Sequence, residues 1–426
     1  MTSQAASPAT PNRWVVATAA VLMQLGLGAV YAWSIFRVPL SEHYGTGITA
    51  VNWAFFITIL MIGFAAFAGG QLMQRVGPRI VGAIGGVVYG IGVALAYFAQ
   101  DSLVVLYLTY GFIAGIGLGL GYIIPIQVLP KWFPDRPGFA TGIAVMGFGG
   151  GSALTVPVAA YLVPAVGLFG TFGVLGLAYI VFVGGAGFFI TNPPEGYSPE
   201  GHEPSEEESS QEEERTRDFR GALSTWQWYA LWAMLFLNVT AGLSIISDAK
   251  AIASELGGAT ATLASAFVII LAVANAAGRL GWASFSDYIG PRNVFLTMFL
   301  LQAVLFLLIP LVARDVFFLL TILSFIILTC YGGGFSTMPT FASKYFGSQN
   351  VGTIYGAMLT AWGLATLLGP LILAISTDIT GTYDLALYIS AGIMLVSSVI
   401  PLVIRPPEAP QEEEEDEASA EAGAPA

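Results

Sequence analysis

The sequence predicts an all-α membrane protein with twelve transmembrane helices, arranged as two pseudo-symmetric halves of six helices each. Three observations lead to this fold class. The chain of 426 residues is 56% hydrophobic and only 10% charged, whereas soluble domains carry about 25% charged residues. Apolar runs of about 20 residues, the length that crosses a bilayer, follow one another closely. Features of the first half then recur in the second half.

The apolar runs divide the chain into two membrane-embedded parts. We expect six helical spans in residues 13–190 and six more in residues 226–405, because a segment in lipid must satisfy its backbone hydrogen bonds internally. The polar segments outside these parts are expected to be solvated. They are an N-terminal tail at residues 1–12, an acidic linker at residues 191–225 and an acidic, disordered C-terminal tail at residues 406–426.

The distribution of Lys and Arg predicts the orientation in the membrane. If both termini are cytoplasmic, the inner loops hold eleven Lys and Arg residues and the outer loops hold three. Cytoplasmic loops of membrane proteins carry such an excess of basic residues. We therefore expect both termini, and the acidic linker between the halves, on the cytoplasmic side.

Short motifs repeat between the two halves. Val76–Arg79 (Val-Gly-Pro-Arg) reappears as Ile289–Arg292 (Ile-Gly-Pro-Arg) at an offset of 213, and Lys131–Phe133 reappears as Lys344–Phe346 at the same offset. Two six-helix halves related by a parallel repeat are a plan of secondary transporters. A channel, a receptor or a membrane enzyme has no need of such a repeat, so the repeat favours transport.

Residues that could form a metal, haem or catalytic site are scarce. Cys330 is the only cysteine, and the two histidines, His43 and His202, fall in hydrophilic stretches. A thiolate cluster and a His-rich metal or haem site are thereby excluded, and no catalytic dyad is recognisable. We predict no cofactor, no metal, no enzymatic activity and no nucleic-acid partner. The linker is too short and polar to form a folded signalling domain, which disfavours a receptor.

Arg279 is the candidate substrate-binding residue, since it is the only Lys or Arg assigned to the interior of a span, the eighth. A buried guanidinium is costly and usually faces the bundle interior or a water-filled cavity. No Asp or Glu in mid-span neutralises it, so it suits a carboxylate that binds through a bidentate fork and leaves again. Asn275, one turn earlier on the same helix face, can donate to the same ligand. The alternative is an arginine that snorkels to the cytoplasmic surface.

Aromatic side chains with polar tips are candidates for the rest of the cavity. They are Tyr31, Tyr122, Tyr331 and Trp362, in the first, fourth, tenth and eleventh spans. Each presents an apolar body and one hydrogen-bond donor, which suits a small anion with a short carbon chain. The alternative for each is a place in the interfacial aromatic belt or in helix packing. Gln24, on the face of Tyr31, matches Asn238 of the seventh span at an offset of 214.

A repeated loop on the predicted cytoplasmic side contains candidate gating residues. The loop at residues 70–79 has a counterpart at residues 281–292, in which Asp287 replaces Gln74. An acid close to basic residues at helix ends can hold one conformation closed through ion pairs and helix dipoles. The candidates for this role are Asp287, Arg292, Arg75 and Arg79. The alternative is a basic loop that only sets the topology.

Five motifs together give the chain a resemblance to a known family. They are Gly28–Phe36, Gly117–Tyr122, Asn275–Arg279, Tyr331–Phe335 and the stretch from Tyr355 to Gly363. On these motifs the chain resembles the oxalate/formate antiporter family of the major facilitator superfamily, which includes bacterial monocarboxylate (lactate-type) transporters. The resemblance covers nearly all of residues 13–405, and implies a prokaryotic cytoplasmic (inner) membrane.

The resemblance implies roles for the candidate residues. Arg279 corresponds to the family's substrate-binding arginine, and the four aromatic candidates fall where the family's aromatic cage lies. Oxalate transporters are expected to carry a lysine in the eleventh span near the position of Trp362, but this sequence has no Lys or Arg between Lys344 and Arg405. With one cation, a dianion would keep an uncompensated charge at low dielectric. A monocarboxylate such as lactate, pyruvate or formate therefore fits better than oxalate.

The expected activity is secondary active transport of small carboxylate anions by alternating access, with proton coupling favoured. An oxalate/formate or other anion exchanger, and a carrier of the same superfamily for another small solute such as a sugar or drug, remain alternatives. The expected partners are a small carboxylate, protons and the lipid bilayer, and the expected state is a monomer.

Overall fold

The computed structural model describes residues 12–194, 196–199 and 215–408. These residues contain twelve helices long and apolar enough to cross a membrane, which confirms the predicted all-α fold with twelve spans. The first six spans are Arg13–Tyr44, Ile48–Val76, Pro78–Ala99, Leu103–Trp132, Pro137–Val166 and Leu168–Phe188. The last six are Trp226–Ile246, Ala261–Ile289, Pro291–Val312, Phe317–Phe346, Val351–Thr380 and Asp384–Val403. Most of the predicted N-terminal tail, of the acidic linker and of the acidic C-terminal tail lies outside the described residues.

The repeated motif forms the same turn in both halves. Gly77 and Gly290 end the second and eighth spans with φ of 83° and 80°, values that only glycine adopts at little cost. Pro78 and Pro291 then occupy the first turn of the next helix, where a missing backbone N–H costs nothing. Both turns lie on the face of the bundle at which the first span begins and the twelfth ends, hereafter the termini face.

Two spans are irregular close to the centre of the bundle. The first span is α-helical over Arg13–Leu27, tightens to a 3₁₀ turn over Gly28–Ala32 and continues as an α-helix. The eleventh span is perturbed at Leu359, whose N–H is shared between the Tyr355 carbonyl at 3.1 Å and the Gly356 carbonyl at 3.2 Å. Such breaks are common at the substrate sites of transporters, and here Tyr31 and Trp362 lie beside them.

The two halves contact each other through glycines. A Cβ atom added to Gly149 of the fifth span would lie 2.9 Å from the Cα atom of Ala276 in the eighth span. One added to Gly70 of the second span would lie 2.6 Å from the backbone of Gly352 in the eleventh. Small residues permit this backbone-to-backbone approach in membranes. The seam between the halves is therefore tight along these two helix pairs.

Candidate substrate-binding site

Arg279 lies at the seam between the two halves and is completely buried, with 0% of its surface exposed. Its Nε donates to Asn275 Oδ1 at 3.2 Å, and its Nη1 donates to the Val145 carbonyl of the fifth span at 3.3 Å. Its Nη2 makes no hydrogen bond of normal geometry with a described residue. The guanidinium therefore lies inside the protein rather than at its surface, and keeps the two N–H groups of Nη2 for a ligand.

Two phenylalanine rings, one from each half, hold the guanidinium. Its central carbon lies 5.3 Å from the ring centre of Phe148 in the fifth span and 4.9 Å from that of Phe335 in the tenth. Contact with aromatic faces stabilises a cation that has lost its water. Among the described residues, Arg279 is the only charged side chain that is buried, so these contacts replace an ion pair.

The four aromatic candidates gather in one cluster around this arginine. The ring of Trp362 lies 6.1 Å from that of Tyr31 and 6.2 Å from that of Tyr122. It also contacts the two phenylalanines that hold the guanidinium, at 5.7 and 5.0 Å. Tyr331 joins the cluster through its hydroxyl, 3.5 Å from the hydroxyl of Tyr31. The structure thus brings all six predicted binding residues to one place at the seam.

Two buried donors of the cluster lie close to each other without a hydrogen bond of normal geometry. Tyr122 is 0% exposed, and neither its hydroxyl nor Nη2 of Arg279 makes a hydrogen bond of normal geometry with a described residue. Leaving such groups unpaired costs about 1–3 kcal/mol each. An acceptor with negative charge, such as a carboxylate, would satisfy both. The neighbouring Tyr355 differs, because its hydroxyl donates to the Phe335 carbonyl at 3.0 Å.

Polar residues in equivalent helices hold the backbone at two buried tyrosines of the cluster, Tyr122 and Tyr331. Gln24 Nε2 of the first span donates to the Tyr122 carbonyl at 3.1 Å, and Asn238 Nδ2 of the seventh donates to the Tyr331 carbonyl at 3.3 Å. Gln302 in turn donates to Asn238 Oδ1 at 3.0 Å. The sequence match of Gln24 with Asn238 indicated that these two residues occupy equivalent positions. Nothing in the sequence indicated that Phe148 belongs to the site, and Tyr355 was indicated only by the resemblance motif that contains it.

A cavity of about 110 Å³ lies beside the site, toward the face opposite the termini. Tyr31, Ser34 and Ser152 of the first half line it together with Leu271 and Asn275 of the second half. The cavity reaches Asn275, the residue that accepts a hydrogen bond from Arg279. A small solute in this cavity is therefore separated from the buried guanidinium by the side chain of Asn275.

On the termini face an acid joins the halves. Asp287, at the end of the eighth span, accepts hydrogen bonds from the backbone N–H groups of Gly138 at 2.7 Å and Phe139 at 2.9 Å. These groups belong to the first turn of the fifth span, where a helix carries partial positive charge. The carboxylate therefore caps a helix of the opposite half.

Neutral hydrogen bonds complete the contact on the termini face. Thr141 and Thr340 lie with their hydroxyl oxygens 3.0 Å apart. Gln74, which stands where the second half has an acid, donates to Asn350 Oδ1 at 2.9 Å. The same structural position is thus charged at one inter-half contact and neutral at the other.

The three basic gating candidates do not lie at this contact. Arg292 donates to the carbonyls of Pro401 and Leu402 within its own half. Arg79 lies 4.7 Å from the ring centre of Phe188, also within its own half. Arg75 makes no hydrogen bond or ion pair with any residue in the described part of the chain. Of the predicted gating set, only Asp287 links the halves.

The fold resembles solved transporter structures. The crystal structure of FucP from E. coli in the outward conformation superposes with a TM-score of 0.68, covering 92% of this chain and 99% of that one at 17% identity. The proton:xylose symporter XylE gives a TM-score of 0.70 over 91% of this chain and 94% of its own at 13% identity. At these identities the likeness extends to the fold alone.

Sequence comparison gives related transporters over most of the chain. The chain is 26% identical to the uncharacterized transporter YhjX of Escherichia coli, over 84% of this chain and 86% of the relative. It is 28% identical to the oxalate:formate antiporter of Oxalobacter formigenes, over 84% and 83%. It is also 24% identical to apicoplast pyruvate carrier 1 of Toxoplasma gondii, over 73% and 67%.

The family model of the Major Facilitator Superfamily matches residues 15–248 and 231–425. Together with the twelve spans and the related carriers, this match confirms what the motifs of the sequence predicted. The chain belongs to the Major Facilitator Superfamily and is an integral membrane transporter, not an enzyme.

Proposed function

We propose that this transporter carries small monocarboxylates, such as lactate or pyruvate, by alternating access as a monomer in a prokaryotic cytoplasmic membrane. One observation carries the proposal. Arg279 is 0% exposed and keeps Nη2 without a normal hydrogen bond to a described residue, in a cluster where the Tyr122 hydroxyl likewise makes no hydrogen bond of normal geometry. A carboxylate is the small group that best satisfies two such donors and the charge.

The charge of the site favours a monoanion over oxalate. Arg279 is the only buried charged side chain in the described part of the chain, and Trp362 occupies the region where a second cation would be expected. A monocarboxylate bound to Arg279 leaves no net charge in the site. A dianion would leave one negative charge at low dielectric, which is expensive. The aromatic walls suit the short carbon chain of lactate or pyruvate.

Proton-coupled uptake is the coupling that we favour, with the proton entering together with the substrate carboxylate. Anion exchange is the second candidate function, and one observation favours it. With Arg279 as the only buried charge in the described part of the chain, the site is neutral when loaded with a monocarboxylate and charged when empty, so the loaded form changes conformation at lower cost. The oxalate:formate antiporter among the relatives works by exchange, as its name states.

We further propose that the termini face is cytoplasmic, as the excess of Lys and Arg predicts, and that Asp287 is the gate on that side. On this proposal the cavity near Tyr31 and Asn275 opens to the outside, and the Asp287 contacts with the fifth span hold the cytoplasmic side closed. Substrate binding at Arg279 then precedes rocking of the halves, which breaks the Asp287 contacts and opens the inner side.

The test is uptake of radiolabelled lactate into proteoliposomes, with and without an inward proton gradient, by the wild type and by the Arg279→Lys and Arg405→Lys variants. Arg405 is exposed and serves as the matched control. Gradient-driven uptake that is lost only in Arg279→Lys supports the monocarboxylate–proton proposal. Uptake that requires internal carboxylate and ignores the gradient supports exchange. No transport of lactate, pyruvate, formate or oxalate by the wild type would rule out the carboxylate proposal.

A further inference from the structure

A second cavity, of about 360 Å³, lies between the halves on the termini face. Its walls come from the facing ends of the fourth, fifth, tenth and eleventh spans, so both halves contribute to it. The hydrogen-bonded pair Thr141 and Thr340 lines it and closes it toward the membrane interior. The cavity is therefore separate from the Arg279 site and lies on the other side of the inter-half contact.

The charged side chains that line this cavity are all positive. Lys131 and Lys344, which are equivalent residues of the sequence repeat, contribute one cation from each half. Arg215 of the linker also lines the cavity but has an interaction of its own. Neither lysine forms an ion pair with a described residue. Among the described residues the lining contains no Asp or Glu. Asp287 interacts electrostatically with Lys344, but its carboxylate is engaged by Gly138 and Phe139.

A buried amide lies beside this basic lining. Gln127 is 2% exposed and lines the cavity, but its Oε1 is packed against Gly352 of the eleventh span. The charge of the two lysines therefore provides the attraction for an anion. The volume of about 360 Å³ corresponds to about twelve water molecules at roughly 30 Å³ each, which is room for a small oxyanion with more than one charged group.

Closure of the termini face creates the site. The two lysines belong to different halves, so closing that face brings like charges into one cavity, at an electrostatic cost. An anion between them offsets this cost. Such an anion binds the closed arrangement better than the open one, and so shifts the population toward it.

We propose that this cavity is a second anion site, for a small polyvalent oxyanion, that forms when the termini face is closed. It does not rest on the proposed substrate of the central site. The probe is inorganic pyrophosphate, titrated calorimetrically at low ionic strength into the full chain in nanodiscs. All variants carry Arg279→Lys, so that the central site contributes little, and each is checked for thermal unfolding.

Charge removal inside and outside the cavity gives the first comparison. We expect Lys131→Gln with Lys344→Gln to weaken pyrophosphate binding by about tenfold or more. The matched control, Arg220→Gln with Arg405→Gln, removes two cations of the same face that do not line the cavity, and should change affinity by less than about twofold. Equal losses in the two double variants, or no binding to the parent, would overturn the proposal.

Asp287→Asn gives the second comparison. Loss of the negative charge predicts a higher pyrophosphate affinity, whereas loss of the closed contact predicts a lower one. Removal of a carboxylate close to Lys344 should strengthen anion binding if only charge matters. If the site needs the closed face, loss of the Asp287 contacts should weaken binding instead, and this is the result we expect. Tighter binding by Asp287→Asn would contradict formation of the site by closure.

A final variant tests whether the chain's own acids compete for the cavity. The glutamates at positions 206–208 and 212–214 precede Arg215 in the sequence. Changing all six to Gln should leave the pyrophosphate affinity within about twofold of the parent. If the parent binds no pyrophosphate and this variant does, the chain's own glutamates exclude external anions from the cavity, and the proposal of an anion site is wrong.

Discussion

The guanidinium of Arg279 in the eighth span donates a hydrogen bond across the seam to the Val145 carbonyl of the fifth span, at 3.3 Å. The group proposed to bind substrate therefore also takes part in the contact between the halves. A ligand that draws this guanidinium toward its own carboxylate alters that contact at the same time. This shared use offers a physical link between occupancy of the site and movement of the halves.

Tyr122→Phe should reduce substrate affinity with little loss of stability. The Tyr122 hydroxyl is buried without a normal hydrogen bond to a described residue, so its removal should cost the folded protein less than the loss of a well-formed hydrogen bond. One hydrogen bond to a charged ligand is worth about 1.5–3 kcal/mol, which corresponds to a rise of about 10- to 100-fold in KM for lactate. The readouts are KM in proteoliposomes and the Tm of the purified protein.

Tyr355→Phe is the matched control for that substitution. Its hydroxyl donates to the Phe335 carbonyl at 3.0 Å, so its loss should destabilise the protein by about 1 kcal/mol. We expect a lower Tm with a smaller change in KM. The reverse pattern, with Tyr122→Phe destabilised and normal in KM, would remove Tyr122 from the binding site.

Asp287→Asn should shift the protein toward the conformation that is open at the termini face. The substitution removes a charge from two hydrogen bonds to a helix N-terminus, which contribute about 1–3 kcal/mol. The measurement is the alkylation rate of Thr340→Cys by a soluble maleimide, since Thr340 lies at the closed contact and Cys330 is buried. A rate increase of about tenfold is expected.

Gln74→Ala provides the comparison for the Asp287 prediction. The bond from Gln74 to Asn350 is neutral, and a neutral hydrogen bond contributes about 0.5–1.5 kcal/mol. Its loss should raise the alkylation rate less than Asp287→Asn does. Equal effects of the two substitutions would mean that the carboxylate has no special part in the closed contact.

Trp362→Lys should change the preference of the site from lactate toward oxalate. The lysine would add a second cation to a cluster in which Arg279 is the only buried charge among the described residues, and a dianion could then be neutralised. The measurement is inhibition of lactate uptake by oxalate. Unchanged or weaker inhibition in the variant, relative to wild type, would show that charge at this position does not set the preference.

Gly70→Val should prevent full closure at the termini face. A Cβ atom on Gly70 would lie 2.6 Å from the backbone of Gly352, so the second and eleventh spans must separate. We expect transport to fall strongly while Thr340→Cys becomes reactive. Gly185→Val is the control, because a Cβ atom there meets nothing within 4 Å and should leave both properties unchanged.

Much of the fold could be predicted because the bilayer restricts which segments can cross it. A span must be apolar, long and internally bonded, so hydropathy alone predicts twelve helices. Arg279 could also be identified, since a cation within an apolar span is energetically costly and usually has a function. The position of the aromatic candidates around it came from the family resemblance, because the sequence alone does not separate cavity aromatics from belt aromatics.

The rest depended on tertiary packing that the sequence does not display. Phe148 is one of 28 phenylalanines, and only the approach of the fifth span to the eighth places it against the guanidinium. Arg79 and Arg292 share a repeated motif, which suggested a common role at the gate. In the structure each instead contacts the last helix of its own half. A sequence repeat indicates equivalent positions but not which partner each position faces.

The isolation of Arg279 as the only buried charge among the described residues has an electrical consequence. If the empty carrier moves this cation through part of the membrane field, its reorientation is voltage-dependent, at about 2.3 kcal/mol per elementary charge for each full 100 mV crossed. With a monocarboxylate bound and no proton, as in anion exchange, the moving site is neutral and the field does no work on it. Membrane potential would then act only on movement of the empty carrier, whereas in proton symport the bound proton gives the loaded site the same charge as the empty one.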